Sequence, residues 1–90
     1  MIRYKYTNRL RIIEDHLNGK KLDAAKRMAQ SLYDADNAEE MYTREEMEFI
    51  KVVIGLGSLD KLMKKLDKKG RKRGDVVSEL MKYPDKYKEN

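Results

Sequence analysis

The sequence contains no cysteine, and its only histidine is His16. Without cysteine the chain can form no disulfide, no thiolate nucleophile and no cysteine-ligated zinc site. No nucleophile–base pair of the kind that catalytic sites require stands out elsewhere in the sequence. Gly55 and Gly57 lack the third glycine of a dinucleotide-binding fingerprint and the Gly-Lys pair of a P-loop. We therefore predict that the protein is not an enzyme and has no metal and no cofactor.

Long apolar segments are also missing. No stretch approaches the roughly 18 uninterrupted apolar residues that a membrane-spanning helix needs. The basic, tyrosine-containing start of the chain does not resemble a signal peptide. Together with the lack of cysteine, these absences predict a cytoplasmic protein with no membrane partner.

The length and composition favour a single folded domain. The 90 residues are enough for one modest core, and with 40% hydrophobic and 41% charged residues the chain is too apolar for a disordered tail. Because proline disfavours helical geometry in the residue before it, Pro84 is expected to end the last helix. We expect the domain to cover residues 1–84 and a frayed tail to cover residues 85–90.

The apolar residues recur with helical spacing, which predicts an all-α fold, a compact bundle of four to five short helices. The first helix begins after Thr7 or Asn8, and Gly19 suits the left-handed position that follows a helix end. A second helix follows directly, so the two should form an N-terminal hairpin. Their apolar stripes are Leu10, Ile13 and Leu17, then Leu22, Ala25, Ala29 and Leu32.

A third, strongly apolar helix is predicted at the centre of the fold, with the hairpin packed on it. Thr43 and Glu46 form the Thr-x-x-Glu pattern of a capping box, so the helix should begin there. The β-branched run at 52–54 is also compatible with a buried strand. One strand would have no partner here, and we therefore predict a helix.

Two further helices complete the predicted fold. Ser58 can cap a fourth helix, which Gly70 should close, and Asp75 can cap a short fifth helix that stops before Pro84. The fourth helix has an apolar face made of Leu59, Leu62, Met63 and Leu66. At about 100° per residue, its lysines fall on the opposite face.

Positive charge is concentrated in residues 61–73, here called the basic segment. It holds eight cations and one acid, a net charge of +7, whereas the remaining 77 residues sum to −2. A local cationic surface predicts a polyanionic partner, most simply nucleic acid. A solvated lysine face is the alternative interpretation. The predicted nucleic-acid-binding residues of this segment are Lys61, Lys64, Lys65, Lys68, Lys69, Arg71, Lys72 and Arg73.

The amino terminus offers a second, weaker candidate. Arg3 and Lys5 alternate with Tyr4 and Tyr6, a pairing of cations and rings that can hold phosphates while stacking unpaired bases. Alternatively, one of these tyrosines packs on the helices as a hydrophobic staple.

These patterns favour a small basic protein that contacts the phosphates of RNA or DNA largely without sequence specificity. The fifth helix offers only Ser78, Glu79 and Lys82 to bases, which is too little for reading the major groove. A second hypothesis is a protein-binding regulator, antitoxin-like or a phage-type inhibitor of a host or nucleic-acid-processing protein, with an acidic surface as its partner. A third is a homo-oligomer in which the acidic residues 34–48 of one copy meet the basic segment of another.

Overall fold

A computed structural model of the protein describes residues 8–72 and 74–89. Within these residues the chain forms helices and no strands, so the predicted all-α class is confirmed. The helices are α1 (Asn8–Asn18), α2 (Leu22–Tyr33), α3 (Ala38–Met41), α4 (Arg44–Ile54), α5 (Asp60–Lys68) and α6 (Asp75–Lys82). None of them is long and apolar enough to span a bilayer.

Helix α4 lies at the centre, as predicted. It packs against α2 on one side and α6 on another, and α1 packs on α2 to complete the N-terminal hairpin. Phe49, Ile50 and Val53 of α4 have no solvent exposure at all. The β-branched run is helical because tertiary packing surrounds it with helices and supplies no strand to pair with.

The capping box at the start of α4 is present. The Glu46 N–H donates to Thr43 Oγ1 at 3.1 Å, and the Thr43 N–H donates to Glu46 Oε1 at 2.9 Å. Just before it lies α3, a one-turn helix that the sequence analysis did not predict. It forms where Ala38 and Tyr42 turn into the core, and one turn is too short to show a periodic apolar stripe.

The α1–α2 connection ends α1 in a Schellman motif, displaced by one residue from the prediction. The Lys20 N–H donates to the Leu17 carbonyl at 3.0 Å, and the Lys21 N–H donates to the His16 carbonyl at 2.8 Å. This pattern places Lys20 at the left-handed position, where its φ is 61°. The assignment of that position to Gly19 was therefore wrong.

Replacing Lys20 by glycine should stabilise the protein. A side chain in the left-handed region is strained, and glycine removes that strain while adding disorder to the unfolded chain, so we expect a net gain of about 0.5–1 kcal/mol. Lys20→Ala is the matched control, because it removes the same charge but keeps the strain. Urea unfolding of both variants measures the effect. Equal stabilities for the two would contradict the assignment.

The C-terminal segment, residues 84–89, is docked on the α4–α5 connection. The frayed tail expected for residues 85–90 is therefore not found over residues 85–89, and Asn90 lies outside the described residues. Tyr87 is only 6% exposed. The Gly57 N–H donates to the Tyr87 carbonyl at 3.1 Å, and the Glu89 N–H donates to the Gly55 carbonyl at 2.8 Å. Pro84 does follow the end of α6, as predicted, but the chain then turns back to the α4–α5 connection.

Helix α2 also holds this segment. Lys26 Nζ donates to the Leu56 carbonyl at 2.6 Å and lies 3.5 Å from Glu89 Oε2. One lysine therefore joins α2 to the turn after α4 and to the end of the described chain.

Gly57→Ala should loosen the C-terminal segment. A Cβ at Gly57 would lie 3.0 Å from Glu89 Cα and 3.3 Å from Glu89 N, so backbone has to move. We expect a loss of about 1–2 kcal/mol in the free energy of unfolding. We also expect faster hydrogen exchange at the Glu89 amide.

Gly55→Ala is the control for this substitution. A Cβ there would have contacts no closer than 3.7 Å, an ordinary van der Waals distance. We expect Gly55→Ala to leave both the stability and the Glu89 exchange rate close to wild type. Equal stabilities and equal Glu89 exchange rates in the two variants would show that the C-terminal segment does not lie close against Gly57.

Candidate functional site

Helix α5 has the two faces that its sequence predicts. Leu62, Met63 and Leu66 are buried, whereas Lys61, Lys64 and Lys68 are exposed. At 1.5 Å per residue, these three lysines extend over about 10 Å of the helix axis. Lys69 and Lys72, which follow the helix, are exposed as well.

Local interactions set the ends of α5. Ser58 was expected to cap this helix, but Leu59 occupies the N-cap position and makes no side-chain cap hydrogen bond. Ser58 Oγ accepts a hydrogen bond from the Asp60 N–H at 3.2 Å, and Gly70 follows the helix with a φ of 76°. Lys65 and Lys68 occupy the last turn, where the negative end of the helix dipole favours cations.

Lys65 is part of the basic segment but already has a partner inside the protein. Its Nζ lies 2.7 Å from Glu79 Oε2, and the Tyr87 hydroxyl donates to the same oxygen at 2.7 Å. Glu79 belongs to α6 and is buried. Lys65 therefore ties α5 to α6, and Tyr87 brings the C-terminal segment to the same carboxylate.

These contacts shift the pKa values of all three groups. Burial by itself raises the pKa of Glu79, but the hydrogen bonds from Lys65 and Tyr87 outweigh it, and the net pKa is lowered. The hydrogen bond with Glu79 raises the pKa of Lys65. Burial, and then the Glu79 carboxylate, raise the pKa of Tyr87 to about 12. At neutral pH the cluster thus holds one anion, one cation and one neutral phenol.

Arg71 also turns back onto the protein. Its guanidinium donates to Met63 Sδ, and its Nε lies 3.5 Å from Asp67 Oδ1. Asp67 is the one acid of the basic segment, so this arginine covers the end of α5 and pairs locally.

Hydrogen bonds from Lys72 and Gly74 hold the loop between α5 and α6. The Lys72 N–H donates to Asp75 Oδ2 at 2.8 Å, and the Gly74 N–H donates to Glu14 Oε1 of α1 at 3.0 Å. Gly74, with a φ of 94°, occupies the N-cap position of α6. Asp75 was expected to cap that helix, but its side chain closes the loop instead.

Three of the predicted site residues lie outside the described residues: Arg3, Lys5 and Arg73. The structure places the other seven on α5 and the loop after it. Of these, Lys65 and Arg71 are half-buried and paired. The exposed ones are Lys61, Lys64, Lys68, Lys69 and Lys72.

A cationic and aromatic cluster that was not predicted from the sequence lies beside α5. The centroid of the Tyr83 ring lies 4.9 Å from Lys65 Nζ, 5.1 Å from Lys86 Nζ and 5.5 Å from Lys82 Nζ. The sequence feature that could have revealed this cluster is the pair of lysine–tyrosine dipeptides within residues 82–87. It resembles the pattern at the amino terminus, but it fell at the edge of a segment expected to fray.

No protein-family model, curated protein or solved structure matches the chain. Over residues 8–72 and 74–89, no three histidine, aspartate or glutamate side chains are placed to hold a metal ion. The charges and rings around α5 are therefore the features from which a function can be inferred.

Tyr87→Phe should change how stability depends on pH. The raised pKa of Tyr87 means that its neutral phenol favours folding below pH 10, and that this contribution is lost as the pH rises from 10 towards 12. We expect the difference in the free energy of unfolding between the wild type and Tyr87→Phe to fall by on the order of 2 kcal/mol over this range. Urea unfolding at a series of alkaline pH values measures the difference. A pH-independent difference would contradict the cluster.

Proposed function

We propose that the protein binds nucleic acid, RNA or DNA, by phosphate contacts from the exposed lysines of α5 and the following loop. Such a protein would act in the cytoplasm. One observation carries the proposal: in the described part of the chain, the five exposed lysines have no carboxylate within ion-pair distance, whereas Lys65 and Arg71 of the same segment have one. The five are Lys61, Lys64, Lys68, Lys69 and Lys72.

The arrangement suits a chain of phosphates. Ammonium groups gathered on one surface repel each other, and a polyanion relieves that repulsion while releasing its counterions. The three lysines on the exposed face of α5 extend over about 10 Å. This length corresponds to about three phosphates along one strand of a duplex, at 3.4 Å of axis per nucleotide.

Little in this region favours reading a base sequence. The planar fork of Arg71 is folded onto Met63 and Asp67, so the guanidinium that the structure describes in the basic segment is occupied and is not open for bidentate recognition. Glu79 was one of three α6 residues expected to be able to reach bases, and it is buried. Lysines that act as point charges on phosphates position a ligand without specifying its sequence.

Charge reversal of Lys61, Lys64 and Lys68 tests the proposal. Lys65 and Arg71 are left unchanged because their pairs help hold the fold. If five lysines each neutralise one phosphate, the log–log salt slope for duplex DNA should be about −4.5, and the triple variant should flatten it by about 2.7. Fluorescence polarisation with a labelled duplex over a salt series measures both slopes.

The control is a triple variant with the same net charge, Lys21→Glu, Arg27→Glu and Lys51→Glu. These cations are exposed but lie outside the basic segment. We expect this variant to keep most of the wild-type salt slope. If both triple variants lose binding equally, overall charge is responsible and the proposed site is rejected.

Absence of binding to single-stranded RNA, single-stranded DNA and duplex DNA, even at about 50 mM salt, would reject the proposed function. The protein-binding regulator, antitoxin-like or a phage-type inhibitor, would then lead. Capture of a protein that the α5 triple variant no longer binds would support it. A change of oligomeric state in the same variant would instead favour self-association.

A further inference from the structure

Tyr83 presents an exposed aromatic ring in a strongly cationic setting. It follows the last residue of α6, and 39% of its surface is exposed. The ammonium groups of Lys65, Lys82 and Lys86 all lie within 5.5 Å of its ring centroid. These lysines come from α5, from α6 and from the C-terminal segment, so the cluster exists only in the folded chain.

The ring is continuous with the lysines of α5. Lys61, Lys65 and Lys69 are four residues apart and follow one edge of the helix. Lys65 contacts the Tyr83 ring directly. Lys61 and Lys86 line a shared groove together with Asp60 and Glu89. Lys69 and Lys82 line a second groove together with Asp75 and Glu79.

The geometry points to Tyr83 as a platform on which an unpaired base stacks, with the neighbouring phosphates held by Lys82, Lys86 and the lysines of α5. The ligand class is therefore single-stranded nucleic acid. This inference rests on the proposed function, because the phosphate contacts are made by the same basic segment.

Two physical features support this assignment. Three ammonium groups stand over the ring, and those of the exposed Lys82 and Lys86 would leave its face for the phosphates when a base stacks there. Glu79, the carboxylate hydrogen-bonded within this cluster, is already shared by Lys65 and Tyr87. The phosphates of a polyanion would pair with the exposed ammonium groups. In a duplex the faces of the bases are covered by their neighbours, so only a single strand can offer a base to the ring.

Tyr33 is a similarly exposed tyrosine and shows that exposure alone does not bring ammonium groups to a ring. It is the last residue of α2 and is 41% exposed. In the described part of the chain, no lysine or arginine stands over its ring. It therefore provides a matched control, since its replacement removes an equally exposed ring from another surface.

The test compares a single-stranded DNA oligonucleotide with an abasic oligonucleotide of the same length and charge. We expect the wild type to bind the strand with bases about 5- to 100-fold more tightly than the abasic one. Tyr83→Leu should remove most of that preference while leaving the affinity for the abasic strand nearly unchanged. Tyr83→Phe should preserve it, as should Tyr33→Leu. A single-stranded RNA arm shows which sugar is preferred.

The outcomes separate this inference from the proposed function. If no oligonucleotide binds, the proposed function fails. If the wild type binds the base-containing and abasic strands equally, the phosphate contacts stand and base stacking is overturned. If Tyr83→Leu does not fold, the wild-type comparison with the abasic strand still decides. If Tyr33→Leu loses the preference as fully as Tyr83→Leu, the assignment to Tyr83 is overturned.

Discussion

A buried carboxylate organises the basic side of this protein. Glu79 needs donors because an unpaired buried charge is very costly, and Lys65 and Tyr87 both supply them at 2.7 Å. Through Lys65 it positions α5 on α6, and through Tyr87 it brings back the C-terminal segment. Tyr83 and Lys86 lie beside the α5 lysines as a consequence, so the shape of the cationic surface depends on this one acid.

Among the described residues, two groups of cations have different surroundings. Lys26, Lys65 and Arg71 are half-buried, and each contacts a carboxylate, a carbonyl oxygen or a sulfur that fixes two parts of the chain together. The exposed lysines of α5 and its loop have no such contacts within the described residues. A high density of positive charge in the sequence therefore serves both the fold and the surface, and the exposed lysines are open to an external anion.

Much of the fold could be predicted because helices are local. The apolar stripes of α1, α2 and α5, the capping box of α4 and the glycine after α5 depend on neighbours within a few residues. The left-handed residue at Lys20, the one-turn helix α3 and the role of Asp75 could not. Helix α3 is too short to leave a periodic pattern. The turn at Lys20 and the loop at Asp75 are closed by hydrogen bonds over three to five residues, whose exact position the residue types alone do not specify.

The sequence by itself determined that the protein is helical and that its positive charge is concentrated in residues 61–73, since periodicity and charge are properties of the chain order. Only the tertiary structure decided which of those cations are exposed and which are paired inside the protein, and that the Tyr83 ring lies beside them. The Lys65–Glu79 pair spans 14 residues, and the C-terminal segment reaches back to Gly57 from far along the chain. Contacts at such separations depend on how the helices pack, and no local pattern records them.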